Sequence, residues 1–185
     1  MAAMAHGTLT WSPALDHPQL LAPSTARALR TWADDDPAVL ESVRGTEIDP
    51  DLADTAALTE AYGLGLEASG NCVLVAGRRD GVERTAAAVV LATTRADVNS
   101  TIKRLLDVRK ASFLPMDRAV EESAMEYGGI TPVGLPEGWR VLVDSRVPLA
   151  GEVIIGSGLR RSKLALPGEL LARMPGVEVV EGLAR

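Results

Sequence analysis

Asn71-Cys72-Val73-Leu74-Val75-Ala76-Gly77-Arg78-Arg79-Asp80-Gly81-Val82-Glu83-Arg84-Thr85-Ala86-Ala87-Ala88-Val89-Val90-Leu91-Ala92 is the stretch on which the fold turns. Apolar residues crowd both ends, and a charged, glycine-bearing middle separates them. The pattern predicts a strand over Asn71–Ala76, a turn over Gly77–Gly81 and a buried strand over Thr85–Ala92. Together they make a hairpin. Alternation along the first strand puts Asn71, Val73 and Val75 on one face and Cys72 and Leu74 on the other.

Upstream of the hairpin, Asp49-Pro50-Asp51-Leu52 opens a helix that closes at Tyr62-Gly63, with glycine just past its end. Residues 1–50 read as an N-terminal extension, partly helical. Ser24 caps a short helix to about Trp32, and Asp36 with Pro37 starts another to about Val43. The extension carries seven acidic side chains against three arginines. Its Asp34-Asp35-Asp36 run reads as a helix boundary, because consecutive acids do not converge on a metal ion without a loop that folds them together.

Downstream, Asp97 caps a helix that lines up Val98, Ile102, Leu105 and Leu106. Lys110–Leu114 reads as a short strand and Asp117 to Met125 as a helix. Strands follow over Arg140–Asp144, Glu152–Gly156 and Val177–Glu181, with a helix begun by Pro167 between the last two. Strands alternating with helices after a hairpin give the α/β (α+β) class, one domain around a mixed sheet over residues 51–185.

The bulk properties narrow the function. At 185 residues, 46% hydrophobic and 24% charged, the chain suits a globular domain with its own core. A net charge of −6 disfavours a protein that grips nucleic acid mainly through phosphates, and 3% aromatic residues leave no broad stacking surface for RNA. Any RNA contact is therefore small and local. The single cysteine, Cys72, excludes an internal disulfide and reads as a structural thiol. Both histidines, His6 and His17, sit in the extension, so either would have to fold back to serve Cys72 or a Ser-His-Asp arrangement. The start, Met1 to Gly7, has neither a basic nor a long apolar region, and no apolar run is long enough to span a bilayer. Those features predict a cytoplasmic protein without a membrane contact.

Gly128-Gly129-Ile130-Thr131-Pro132-Val133-Gly134-Leu135-Pro136 is the stretch richest in chemical implication. Paired glycines let the backbone approach a ligand closely, while Pro132 and Pro136 stiffen the loop. A stiff loop with exposed amides can cradle an oxyanion; equally, it can be a tight helix-to-strand connection. Gly156-Ser157-Gly158-Leu159-Arg160-Arg161-Ser162-Lys163 is similarly two-sided. It reads as a turn with a solvated basic edge, or as a pocket wall whose Arg160, Arg161 and Lys163 meet a nucleic-acid backbone.

The order of elements leading into Gly128-Gly129-Ile130-Thr131-Pro132 resembles the YbaK/prolyl-tRNA-synthetase-associated domain family, whose loop is often written GGISP. The likeness runs over about residues 60–180 and includes Asp144 and the Gly156-Ser157-Gly158 turn. It implies a mixed, barrel-like curled sheet surrounded by helices, and a deacylase that clears mischarged tRNA without metal or other cofactor. It further implies a catalytic loop of Gly128, Gly129, Ile130, Thr131 and Pro132 whose available backbone N–H groups hold the ester carbonyl and terminal ribose. Asn71, Val73, Asp144, Gly156, Ser157 and Gly158 would then line the substrate, with Arg160, Arg161 and Lys163 on the tRNA acceptor end. An aminoacyl-tRNA synthetase is a further partner the resemblance brings in, and monomer and homodimer both stay open.

One position departs from the family. A lysine near the start of the first hairpin strand falls here on Asn71, which can donate and accept hydrogen bonds but carries no charge. Losing a charge-assisted hydrogen bond costs about 1–3 kcal/mol, or roughly one to two decades in rate. Two readings follow: an active deacylase, and a binding module that keeps the pocket without efficient catalysis.

Overall fold

The computed structural model describes residues 7–185; the readings made on Met1 to His6 lie outside the described residues. In chain order the strands and helices are β1 (Ser12–Pro13), α1 (Pro23–Asp35), α2 (Ala38–Ser42), β2 (Arg44–Glu47) and α3 (Thr55–Tyr62). The hairpin strands β3 (Gly70–Arg79) and β4 (Val82–Leu91) come next, then α4 (Lys103–Leu106), β5 (Ala111–Phe113) and α5 (Met116–Ser123). The chain ends with β6 (Arg140–Asp144), β7 (Glu152–Gly156), β8 (Ser162–Pro167), α6 (Gly168–Ala172) and β9 (Val177–Val180).

The hairpin is longer than its sequence pattern suggests. Its strands pair from Gly70↔Leu91 to Arg79↔Val82, leaving a turn of only Asp80 and Gly81. Both turn residues have positive φ, +52° and +80°, which suits a tight turn between right-twisted strands. Gly77 is thus a strand residue. A side chain there would collide with the Lys110 carbonyl as β5 comes in beside β3.

Around the hairpin grows a five-stranded mixed sheet, β5-β3-β4-β6-β9, in which β4–β6 and β6–β9 are parallel. A four-stranded antiparallel sheet, β1-β2-β8-β7, lies against it. The expectation of one barrel-like curled sheet is corrected here. Among the described residues there are two open sheets, linked by one isolated bridge, Ser69 with Ile154. Two of the four strands in the second sheet, β1 and β2, come from the first fifty residues, which are therefore built into the sheet edge beside β8.

Burial follows the two-residue period. Ala86, Ala88 and Val90 face one cluster with Ile102, Leu106 and Leu142. Val89 and Leu91 face the other side, packing with Val143, Ile155, Leu164 and the α1 residues Leu29 and Trp32. A strand buried on both faces reads as a continuous apolar run, as β4 does.

Three helix boundaries moved. Helix α1 begins at Pro23 behind Ala22, so Ser24 lies inside it and is not its cap. Residues 49–62 split into a 3-10 turn at Pro50–Leu52, capped by Asp49, and α3, which ends at Gly63 with φ +66°. Asp97 does accept from Thr101 N–H, but what it caps is a π-helical turn, Val98–Ile102, that runs into the short α4. Asp36 behaves as a boundary acid: one oxygen accepts from Ala38 N–H and the other meets Arg173 at 3.2 Å.

Leu142 is fully buried between the two parallel pairings of β6. Leu142→Ala is expected to lower unfolding free energy by about 2–5 kcal/mol in a denaturant titration.

Candidate functional site

Four pieces of backbone meet at one cleft of about 280 Å³. Ala53, Asp54 and Thr55 come from the entry to α3, and Gly70 to Val73 from the start of β3. Tyr127, Gly128 and Ile130 come from the glycine loop, and Gly156 and Lys163 from facing positions on β7 and β8.

The glycine loop and the turn after β7 are clasped backbone to backbone. Glu126 N–H donates to Gly158 O at 2.9 Å, and Gly158 N–H donates to Gly129 O at 2.7 Å. A side chain at Gly129 would strike the Leu159 backbone, and one at Gly156 would strike the Gly129 and Ile130 carbonyls. Gly128 takes φ +80°, a conformation that disfavours any side chain. Helix α1 braces both sides: Thr25 Oγ1 donates to Val133 O, and Ala22 N–H to Ser157 O.

This geometry sorts the predicted loop residues. Gly128 and Ile130 line the cleft, and neither amide makes a hydrogen bond among the described residues. The Gly129 amide is already engaged with Glu126 O, so Gly129 serves the clasp, not the cleft. Thr131 is fully buried, its hydroxyl without a partner among the described residues. Pro132 lines a separate apolar groove beside Trp32 and Trp139. Neither Thr131 nor Pro132 is placed to touch a ligand in the cleft.

Lys163 departs furthest from its reading as part of an exposed basic patch. It is only 8% exposed, because β8 is flanked on both sides by β2 and β7. Its Nζ donates to Gly128 O at 3.1 Å, which leaves two of three N–H donors for a ligand. Burial pushes its pKa down to about 8, with nearby Arg160 pushing the same way and Asp54 opposing. The rest of the patch splits. Arg160 stacks over the Tyr127 ring at 5.5 Å on the cleft rim, and Arg161 points away, bonding Gln19 O.

On the opposite wall Asn71 Oδ1 accepts from Thr55 Oγ1 at 2.8 Å, which leaves its amide group free to donate. Val73 is half-buried beside it. Cys72 packs against the core, and desolvation pushes its thiol up to about 12, so it is a poor nucleophile. His17 is half-buried beside Gln19 and is not among the residues that line the cleft; His6 lies outside the described residues.

Three further predicted substrate residues prove structural. Buried Asp144 accepts from Arg146 N–H and from Ala184 N–H, tying the chain's last residues to β6. Ser157 Oγ bonds Ser162 Oγ at 2.7 Å and shapes the turn, and Gly158 belongs to the clasp. Asp54 and Thr55 were missed altogether. They follow a 3-10 turn that breaks the expected helix, and nothing in their local sequence marks them.

One comparison with known proteins shows the family, and another shows the fold. The model of the aminoacyl-tRNA editing domain family matches residues 49–174. Among solved structures, that of a hypothetical protein superposes with a TM-score of 0.71 at 20% identity, covering 85% of this chain and 99% of its own. A second, described as a candidate trans-editing enzyme for prolyl tRNA synthetase, gives 0.69 at 17% identity, covering 87% and 97%. At these identities the likeness speaks for the fold. A search of curated proteins found no match.

Two outcomes check the sorting of residues. Asp144→Ala is expected to lower stability by about 1–3 kcal/mol in denaturant while leaving ligand binding in the cleft intact. Cys72 is expected to react with iodoacetamide at pH 8 at least about tenfold more slowly than an ordinary thiol, because desolvation makes its thiolate scarce and the higher nucleophilicity of that thiolate offsets the scarcity only in part.

Proposed function

This chain belongs to the aminoacyl-tRNA editing domain family, and on that premise we propose that it is a deacylase acting in trans on mischarged tRNA. The observation that carries the reading is the placement of Lys163. The charge that Asn71 lacks enters the same cleft from β8, held on the carbonyl of the glycine loop.

In this reading the ester carbonyl oxygen lies among the Gly128 and Ile130 N–H groups and the Lys163 ammonium. Water adds to the carbonyl carbon, and negative charge gathers on that oxygen. Fixed donors in a partly desolvated cleft stabilise such charge well, because they need little reorganisation. Collapse breaks the bond to the ribose oxygen, which takes one of the water's two protons and leaves as a hydroxyl; the other proton passes to solvent, and the amino acid leaves as its carboxylate. The ester is already activated, so positioning and charge stabilisation supply most of the rate. Asn71 orients the substrate through its free amide, while Arg160 and Tyr127 at the rim meet the acceptor end. A local contact of this kind suits an acidic protein.

The experiment is release of labelled amino acid from a panel of mischarged tRNAs. Wild type is expected to hydrolyse at least one of them above background. Lys163→Met should lower that rate by roughly one to two decades. Adding Asn71→Lys to Lys163→Met should recover part of it, since the charge returns from the opposite wall. No hydrolysis of any tRNA by wild type, with an aminoacyl-ester analogue still bound, leaves the binding-module reading instead.

The pH dependence has a definite sign. A lysine needed as its ammonium loses its proton through about pH 8, so the enzymic rate, corrected for hydroxide-driven background, should fall above pH 8. Stability moves the other way. The folded value lies below the ordinary 10.5, so the unfolded chain holds the extra proton between about 8 and 10.5. Stability from this group is complete above 10.5 and is lost as pH falls towards 8. Lys163→Met should therefore retain or gain thermal stability at neutral pH while losing rate.

A further inference from the structure

A second groove of about 400 Å³ shares Asn71 and Val73 with the cleft. Register explains why the two adjoin. Val90 faces Asn71 across the hairpin, and Phe113 faces Val75 from β5, so Asn71, Val73, Val90 and Phe113 stand on one face of the five-stranded sheet. Phe113 is 59% exposed there, an unusual setting for a large aromatic. Arg95 is exposed at the same groove, and its guanidinium makes no hydrogen bond or ion pair among the described residues. Arg185 is paired with Asp97 at 2.6 Å, so those two side chains offset each other and Arg95 is the unpaired guanidinium of the groove among the described residues.

We infer that this groove binds the terminal nucleotide of the acceptor end, with its base on Phe113 and its phosphate on Arg95. The inference rests on the deacylase reading of the neighbouring cleft. A terminal ribose carries both the ester and the base, so an ester beside Asn71 brings a nucleoside to an adjoining cavity. Of the cavities near the cleft, this groove shares lining residues with it, and it is the larger of the two. An exposed aromatic face beside an unpaired guanidinium is what a base with an attached phosphate requires.

The test uses the full chain and adenosine 5′-monophosphate, followed by backbone amide NMR. Saturable shifts at Val90, Arg95 and Phe113 are expected. Phe113→Ala and Arg95→Gln, both exposed and so expected to fold as wild type, should each weaken that binding by roughly fivefold or more. In deacylation the same variants should raise KM by more than they lower kcat. Shifts confined to Gly128 and Lys163, or no groove shifts up to about 10 mM nucleotide, would overturn the inference. Unchanged binding in both variants would do the same. Groove binding by a wild type that hydrolyses no ester would uphold this site while removing the deacylase reading. Hydrolysis with no nucleotide in the groove would do the reverse.

Discussion

The clasp between the glycine loop and the turn after β7 is the constraint on which the cleft depends. Two backbone segments approach so closely that their carbonyls occupy the space of a side chain at Gly129 and at Gly156. The hydrogen bonds from Glu126 to Gly158 and from Gly158 to Gly129 consume the groups on the inner side. The Gly128 and Ile130 amides remain unused among the described residues, and the Gly128 carbonyl becomes the acceptor for Lys163. Rigidity of the loop, supply of donors and position of the cation thus share one cause. Helix α1 extends the constraint outward, since Ala22 and Thr25 hold the turn and the loop from behind.

A charge placed this way is costly and useful for the same reason. Lys163 sits between two flanking strands, where water reaches it poorly and its ammonium is disfavoured. That low-dielectric position strengthens its attraction for any oxyanion formed at the loop. A lysine on the exposed turn would be cheaper to fold and weaker in the cleft. Asp54 at the mouth offsets part of the desolvation without forming a direct ion pair in the structure.

Much of the fold was legible because its strands obey the two-residue period. Strands β6 and β7 fall where the pattern of Arg140–Asp144 and Glu152–Gly156 put them. Strand β8 escaped notice because Ser162-Lys163 looks polar and follows two arginines, so the segment resembles a solvated edge. Its burial is set by β2, a partner more than a hundred residues away, and no local signal carries that information. The site was legible in the same uneven way. Gly128, Gly156 and Asn71 could be picked out by residue type and order. Lys163 was read as part of an exposed basic patch and is buried at the cleft, and Asp144 looked chemical yet accepts from Ala184 N–H. Side-chain direction is a tertiary property, and the sequence alone could not separate Lys163 from Arg161.

The central claim is that Lys163 is a desolvated cation facing the reacting ester. Titration of the Lys163 side-chain nitrogen by NMR, with and without a non-hydrolysable aminoacyl-amide analogue of the tRNA end, tests it most directly. The account predicts a value near 8 in the free protein that rises when the analogue's carbonyl accepts from the ammonium. An ordinary value near 10.5 that the analogue leaves unmoved would contradict it.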